Sequence, residues 1–493
     1  MAAVDGPPRS SLEHAIAERN AVAIGAPLDW LMDNAGRVLA EELIGRFPDP
    51  SARIVVLSGG GNNGGDGASA VDHLRQGGRT AELWVVPGRS EVRSSVARHA
   101  LALVDARSKV HEGVPSVADL AGSAVVVDAL LGAGQAGELR APYREAVEHV
   151  RASKVPVLAV DLPTGFGGPE ALVPNWTVTL SCPKIGLTEA TGGTITVRSI
   201  GIPEAAFDHT GPGDFLAYPR PTARGRKARV AVIGGGPFTG APALAALAAL
   251  RSGAERATVY APEPAAAAIR ALSPDLVVVP SGDGRIRQED VEGILDAVVA
   301  SKVGAVVVGM GLGRHPETLE ALPSLLKGLS GTLPLVVDAD ALDALPAAVA
   351  ATVAAPVVVT PNEGEFARVF GGEAWVGPES RIAAAAAASH SRGVTVVLKG
   401  AEDVIAGNQR IVVSGPHSRS MNVGGSGDVL AGIIGRLLAD RLDPVHAARL
   451  AAHWLGDTGG VVGARLGDGL LATDLIEHLP MVLQAGLRAA RPE

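Results

Sequence analysis

The sequence is poor in cysteine: Cys182 is the single one in 493 residues. That excludes an intramolecular disulfide and any multi-cysteine zinc site, and Cys182 is read as structural. Aromatic residues are also scarce, at 3%, so the cores must be built from Ala, Val, Leu and Ile, with 62 glycines for turns and close backbone contacts. Positive charge is in deficit. A formal net charge of −9 argues against a nucleic-acid partner. It does not argue against a phosphorylated ligand, because helix N-terminal amides supply local positive potential. Long apolar runs are missing. The most apolar stretch, 241–250, stops at Arg251 and is too short for a bilayer. The first twenty residues hold Asp5, Arg9, Glu13, His14, Glu18 and Arg19 and no signal-peptide core. A soluble, cytoplasmic protein without membrane partners is expected. The 12 histidines show no metal-ligand spacing.

What is present is apolar residues, at 47% against 19% charged, enough for large cores. At roughly 150 residues per domain the length suggests two to four domains. Runs rich in Val, Ile, Leu and Ala recur at 53–57, 83–86, 124–127, 156–160, 230–233, 305–308, 333–337, 356–359 and 395–398. They are continuous, the pattern of parallel strands covered on both faces. Helix-length segments such as 67–76, 241–252 and 428–438 lie between them. This alternation predicts an α/β chain. The stretch 208–227, rich in Pro and Gly with Arg220, Arg224, Arg226 and Lys227, breaks the rhythm and reads as a linker. The boundary is placed there, giving domains 1–215 and 216–493.

The strand at 53–57 runs into Ser58-Gly59-Gly60-Gly61-Asn62-Asn63-Gly64-Gly65-Asp66-Gly67. A strand that ends in glycines and opens a helix offers free amides to an anion. The loop matches neither the dinucleotide fingerprint nor the P-loop with its lysine. Two further strands end in Asp128, before Gly132-Ala133-Gly134-Gln135-Ala136-Gly137, and in Asp161, before Leu162-Pro163-Thr164-Gly165. A lone aspartate there is most often a turn former. Two in one domain, each followed by glycines, point to a site. Such oxygens suit a hard cation, and a carboxylate can serve as acid or base.

With Leu31-Met32-Asp33-Asn34-Ala35-Gly36 and Cys182-Pro183-Lys184, these motifs resemble the NAD(P)H-hydrate epimerase family over residues 10–210. The resemblance implies a Rossmann-like three-layer α/β/α domain. It implies that Asn62, Asn63, Gly64, Gly65 and Asp66, together with Gly132, Ala133, Gly134, Gln135, Ala136 and Gly137, contact the substrate. It further implies potassium ligation by Asn63, Asp128 and Thr164, and makes Asp161 both a substrate contact and the acid/base candidate. Thr164 stands where the family commonly has serine, and the loop 132–137 lacks a phenylalanine often found there.

The second half opens with the strand 230–233 and Gly234-Gly235-Gly236-Pro237-Phe238-Thr239-Gly240-Ala241-Pro242. Near its end Gly424-Gly425-Ser426-Gly427-Asp428 opens an apolar helix. Amides of such a loop can form an anion hole for a phosphate in transfer. Asp428 is placed to face the reacting group; as a helix cap alone it would be worth about 1 kcal/mol. With Gly309-Met310-Gly311-Leu312-Gly313, Val337-Asp338-Ala339-Asp340, Thr360-Pro361-Asn362-Glu363-Gly364-Glu365 and Leu398-Lys399-Gly400-Ala401, these motifs resemble the ribokinase-like NAD(P)H-hydrate dehydratase family over 225–480. The resemblance implies substrate contacts at Ala241, Gly311, Asn362 and Asp428. It implies an adenine nucleotide, ADP or ATP with magnesium, held by Lys399, Gly400, Ala401, Glu402, Asp403 and Gly427. Asn362 replaces the family's usual histidine and cannot carry a proton.

The two resemblances imply a bifunctional repair enzyme, isomerase and lyase on one chain. The first half would interconvert R and S hydrates. The second would use ADP or ATP to dehydrate the S hydrate, with Asp428 as base. Self-association into a homo-oligomer is expected. Two other readings remain at this stage: a ribokinase-type kinase of a small alcohol, and a first half that only binds nucleotide as a scaffold or sensor.

Overall fold

Continuous apolar strands need cover on both faces, and both sheets of this chain have it. The computed structural model describes residues 6–105, 110–135, 137–219, 228–345, 355–371, 375, 377–415 and 417–490. The chain divides between Phe207 and Asp208 into two units.

The first unit is built on β1 (Ile54–Ser58), β2 (Ala81–Val85), β3 (Val110–Glu112), β4 (Val125–Ala129), β5 (Val157–Val160), β6 (Trp176–Leu180) and β7 (Thr194–Arg198). Their order is β3-β2-β1-β4-β5-β6-β7, parallel throughout. Alternate residues of β1 serve opposite faces. Ile54 and Val56 join the core under α1 (Ser11–Ala23), α2 (Leu28–Arg46) and α3 (Asn62–Gln76), whereas Val55 and Leu57 pack with Val147 and Val150. The result is the expected three-layer α/β/α domain.

The second unit carries β8 (Arg229–Ile233), β9 (Arg256–Ala261), β10 (Val277–Pro280), β11 (Ala305–Val308), β12 (Leu335–Val337), β13 (Val357–Val359), β14 (Thr395–Leu398), β15 (Val404–Gly407) and β16 (Arg410–Val413). Their order is β10-β9-β8-β11-β12-β13-β14-β15-β16. Val230 and Val232 pack with Ala245, Ile433 and Trp454, while Ala231 and Ile233 pack with Leu322 and Phe366. The expectation of parallel strands fails at β15 and β16, which run antiparallel. Asn408 and Gln409 between them both take the left-handed conformation, with φ of 48° and 60°. This is the two-residue turn that closes a hairpin; a parallel return needs a crossover of a dozen residues or more.

Three further expectations change. Much of the linker stretch is ordered second-unit structure: Pro212–Ala217 forms a 3-10 helix, Phe215 is 1% exposed, and the buried Asp214 pairs with Arg449 at 2.7 Å. The boundary therefore falls at 207/208, ahead of the expected 215/216; the basic residues Arg220, Arg224, Arg226 and Lys227 lie outside the described residues. Helix α3 begins at Asn62, five residues before the expected start at Gly67, so most of the asparagine–glycine stretch is its first turn. The helix Ser426–Ala439 likewise begins earlier, with Gly425 at its cap and Asp428 inside its first turn. Among the described residues no helix is long and apolar enough to cross a membrane.

Candidate active sites

In each sheet the strand order reverses beside the first strand, between β1 and β4 and between β8 and β11. Open α/β sheets bind ligands outside the carboxyl ends of strands at such points. Both reversals require glycine, because a Cβ on Gly59 would strike the Leu130 carbonyl and one on Gly234 the Met310 carbonyl. The glycine loops are thus pressed against the loops that follow β4 and β11.

In the first unit Asn62 is exposed and accepts a bond from Ser94 Oγ at 2.7 Å. Asn63 is 8% exposed, yet neither Oδ1 nor Nδ2 has a hydrogen-bond partner. Gly64 and Gly65 are buried in the same helical turn. Gly132 abuts Asn63, whose Cγ would lie 3.0 Å from a Cβ there. Asp128 is fully buried, and Thr164 binds it twice, through Oγ1 at 2.7 Å and its amide at 2.8 Å. Burial raises the Asp128 carboxyl above its usual range, against these bonds from Thr164 and one from Leu130. Gln135 ties its loop to the next, accepting from the Gly165 amide at 2.6 Å and donating to the Pro163 carbonyl at 3.1 Å. Gln135, Gly137, Gly165 and Phe166 line a cavity of about 480 Å³. Phe166 places an aromatic ring there, though the loop 132–137 has none. Ala133 and Gly134 lie in a turn of that loop, and Ala136 lies outside the described residues.

Asp161 follows β5 with φ +62°, a left-handed conformation uncommon outside glycine but better tolerated by aspartate than by most residues, and is 5% exposed. Lys184 Nζ lies 2.8 Å from its Oδ1. Burial would raise the Asp161 carboxyl, but Lys184 and then His14 outweigh it, and the net shift is downward. Around this pair stand groups the sequence reading passed over. His14 and Glu18 are one helical turn apart on α1 and share a face. Burial, then Lys184, lowers His14 to about 3, opposed by Asp161. Burial, then Asp161, raises Glu18 to about 7. Asp66 is raised well above its usual range by burial, Glu18 and Asp161. The i, i+4 spacing of His14 and Glu18 is the signal the sequence carries, and polar residues at that spacing are common on solvated helix faces.

In the second unit Ala241 is the second residue of the helix Gly240–Arg251, and Gly311, at φ +70°, sits against the Phe238 carbonyl. Lys399 is the centre of the site. Its Nζ lies 2.8 Å from Asp338 Oδ1 and 3.7 Å from Glu365 Oε2, and a Cβ on Gly427 would stand 3.1 Å from it. Burial alone would lower Lys399, yet Asp338 and Glu365 raise it, so it stays charged. Asp428 is raised to about 7, by burial first and Asp338 next, with Lys399 pulling down and Glu365 pushing up. Asp338 and Glu365 belong to quoted motifs but had no assigned role; Asp338 directly follows its strand, just as Asp161 does.

Not every candidate points to the same space. Asn362 caps the helix Glu363–Phe370: its Oδ1 accepts from the Glu365 amide at 2.9 Å, and its own amide donates to Glu365 Oε2 at 2.8 Å. Gly400, Ala401 and Glu402 are exposed, but Asp403 is 5% exposed and turned inward. It accepts from the Gly400 amide at 3.0 Å and meets His417 Nε2 at 3.0 Å. Cys182 is buried, and burial raises its thiol.

Two glycine junctions at sheet reversals, with a lysine–aspartate pair at the carboxyl end of each sheet, define a two-site α/β enzyme. Residues 28–186 match the family model described as YjeF-related protein N-terminus, and residues 230–481 that described as NAD(P)H-hydrate dehydratase. The bifunctional NAD(P)H-hydrate repair enzyme of Pyrobaculum aerophilum is 37% identical over 496 residues, covering 96% of this chain and 98% of that protein. The enzyme of the same name from Hyperthermus butylicus is 37% identical, covering 98% and 93%, and that from Archaeoglobus fulgidus is 36% identical, covering 96% and 97%. The chain belongs to the bifunctional NAD(P)H-hydrate repair enzyme family.

Proposed function

We propose that the first unit interconverts the R and S hydrates of NADH or NADPH and that the second dehydrates the S hydrate with ADP or ATP. The observation that carries this is the pairing, on one chain, of two glycine junctions at sheet reversals with two differently tuned aspartates. In the second unit the amides of the Gly424–Gly427 segment and Lys399 receive the nucleotide phosphates, and Gly400, Ala401 and Glu402 border the nucleotide. Asp403 shapes that turn from within. Magnesium would be held by the phosphates of the nucleotide; among the described residues no cluster of three or more acidic, His or Cys side chains forms a cage of its own. Asp428 takes the proton of the hydrate's hydroxyl as its oxygen attacks the terminal phosphoryl group. The phosphate ester formed is a better leaving group than hydroxide, and its elimination restores the ring double bond. Ala241 and Gly311 border the hydrate. Asn362 acts through its cap, which sets the place of Glu365 beside Lys399.

In the first unit the α3 amides of Asn62 and Gly64 hold the nucleotide, with Gly65, Asp66 and Gly132–Gly137 around it. Asp161 is the proton-accepting group. A potassium ion fits the donor set of Asn63, Asp128 and Thr164: these are hard oxygens, and the buried Asn63 Oδ1 has no other partner. When bound, the ion would fix the substrate by its charge.

The test uses purified protein and a mixture of both hydrate epimers, with and without ADP or ATP, following the reduced-nicotinamide absorbance. Complete recovery that depends on nucleotide is expected. Recovery that stops when the S epimer is spent removes the epimerase half; a stable phosphorylated product removes the dehydratase half. A homo-oligomer is also proposed, with sedimentation velocity as its check.

A further inference from the structure

The epimerase reading leaves a proton unaccounted for. Hydration of an enamine puts the hydroxyl on the carbon next to the ring nitrogen. Inverting that carbon requires water to leave from one face and return to the other. Departure needs a proton given to the hydroxyl oxygen, and return needs a proton taken from the incoming water. Asp161, held ionised by Lys184 at 2.8 Å, is fitted only to take one. The giver must be a neutral acid beside the same pair.

Resting on that reading, we propose that Glu18 of α1 is the proton donor of the epimerisation. Helix α1 is fastened to the Lys184 loop at its start: the Arg9 amide donates to the Pro183 carbonyl at 2.9 Å and the Ile185 amide to the Arg9 carbonyl at 3.0 Å. A capping box between Ser10 and Glu13 fixes the direction of the first turn. His14, 5% exposed, anchors one face inward and keeps a buried Nε2 without a hydrogen-bond partner. Glu18 lies on that face one turn on, is half-buried, and stands within electrostatic reach of both Asp161 and Lys184. The charged groups around it are His14 and Arg19 of α1, Asp66 of α3, Asp161 after β5 and Lys184 after β6. Burial first, and Asp161 next, raise Glu18 to about 7 against the downward pull of Lys184 and Arg19.

The step balances. The Glu18 carboxyl protonates the hydroxyl, and the C–O bond breaks with its electron pair on the departing water. The nitrogen lone pair closes a C=N⁺ bond, and Glu18 is left as carboxylate. Water then adds to the opposite face. Its oxygen lone pair forms the new C–O bond, the C=N pair returns to nitrogen, and Asp161 takes the proton. One proton has moved from Glu18 to Asp161, and solvent exchange resets both.

The experiment follows interconversion of separated epimers by the full chain, without ADP or ATP, from pH 5.5 to 8.5. Glu18→Gln is expected to lower kcat about a hundredfold or more while KM changes little, and to erase the decline of kcat above about pH 7. Glu18→Asp, which keeps an ionisable carboxyl, is expected to restore that decline, and the melting temperature of each variant checks folding. Wild-type rates and an unchanged profile in Glu18→Gln would overturn the proposal. So would loss of the decline in Asp66→Asn but not in Glu18→Gln. Wild-type protein that fails to interconvert epimers would instead sink the epimerase reading itself.

Discussion

Both units set a lysine ammonium 2.8 Å from an aspartate at a strand end, but the aspartates play different parts. In the first unit Lys184 grips Asp161, the candidate catalytic carboxylate, and holds it ionised. In the second Lys399 grips Asp338, a neighbour. Asp428 gains less from the lysine than burial and Asp338 cost it, so it rises to about 7. The same pair thus yields a permanent carboxylate in one site and a titrating one in the other. The partner chosen by the lysine, more than the residue types present, sets the protonation state.

The comparison breaks most sharply at the aspartates. Asp428→Asn is expected to lower nucleotide-dependent dehydration of the S hydrate by about 10²–10⁴-fold, and Asp161→Asn to lower epimerisation by a similar factor, each sparing the other activity. Assays on separated epimers check this, and a variant that loses both activities would mean the sites are not independent. Next in size, Arg449→Met is expected to destabilise the second unit by about 3–5 kcal/mol, because Asp214 stays buried without its partner. Denaturant unfolding measures it. An effect near zero would return residues 208–219 to the status of a linker.

The pH dependence sharpens the comparison. A base must be deprotonated, so kcat/KM for dehydration is expected to fall about tenfold for each pH unit below about 7, where Asp428 gains its proton. Lys399→Met removes a group that lowers Asp428, and is expected to move that fall to higher pH. Lys184→Met is expected to raise Asp161 toward neutrality and add a new acid limb to epimerisation, where wild type has none from this group. A pH–rate series on separated epimers reads all three. The smallest expected effect is that of Asn362→Ala. Loss of a helix cap costs about 1 kcal/mol of stability, and the pH profile of dehydration keeps its shape. A profile that changed shape would give Asn362 a direct part in the chemistry.

The α/β class, most strands and both glycine junctions were legible because they rest on local rules: apolar runs, helix starts and turn residues. Even so, α3 swallowed the Asn62–Asp66 stretch. Glycine-rich sequence has low intrinsic helix preference, and only packing of Gly64 and Gly65 against their neighbours admits a helix there. The antiparallel hairpin was missed because Asn408-Gln409 is a weaker turn signal than Asn-Gly. His14, Glu18, Asp338 and Glu365 were missed for another reason. Each lies far in sequence from the group it influences, as with Asp338 and Lys399, 61 residues apart.

By itself the sequence determined the two sheets and the glycine junctions where their order reverses, since backbone sterics and apolar patterning act between near neighbours. It also determined the family, through motifs in fixed order. The tertiary structure alone decided which carboxylate each lysine holds. That choice depends on distances and burial between segments far apart in the chain, and these exist only once the sheets have brought their carboxyl ends together.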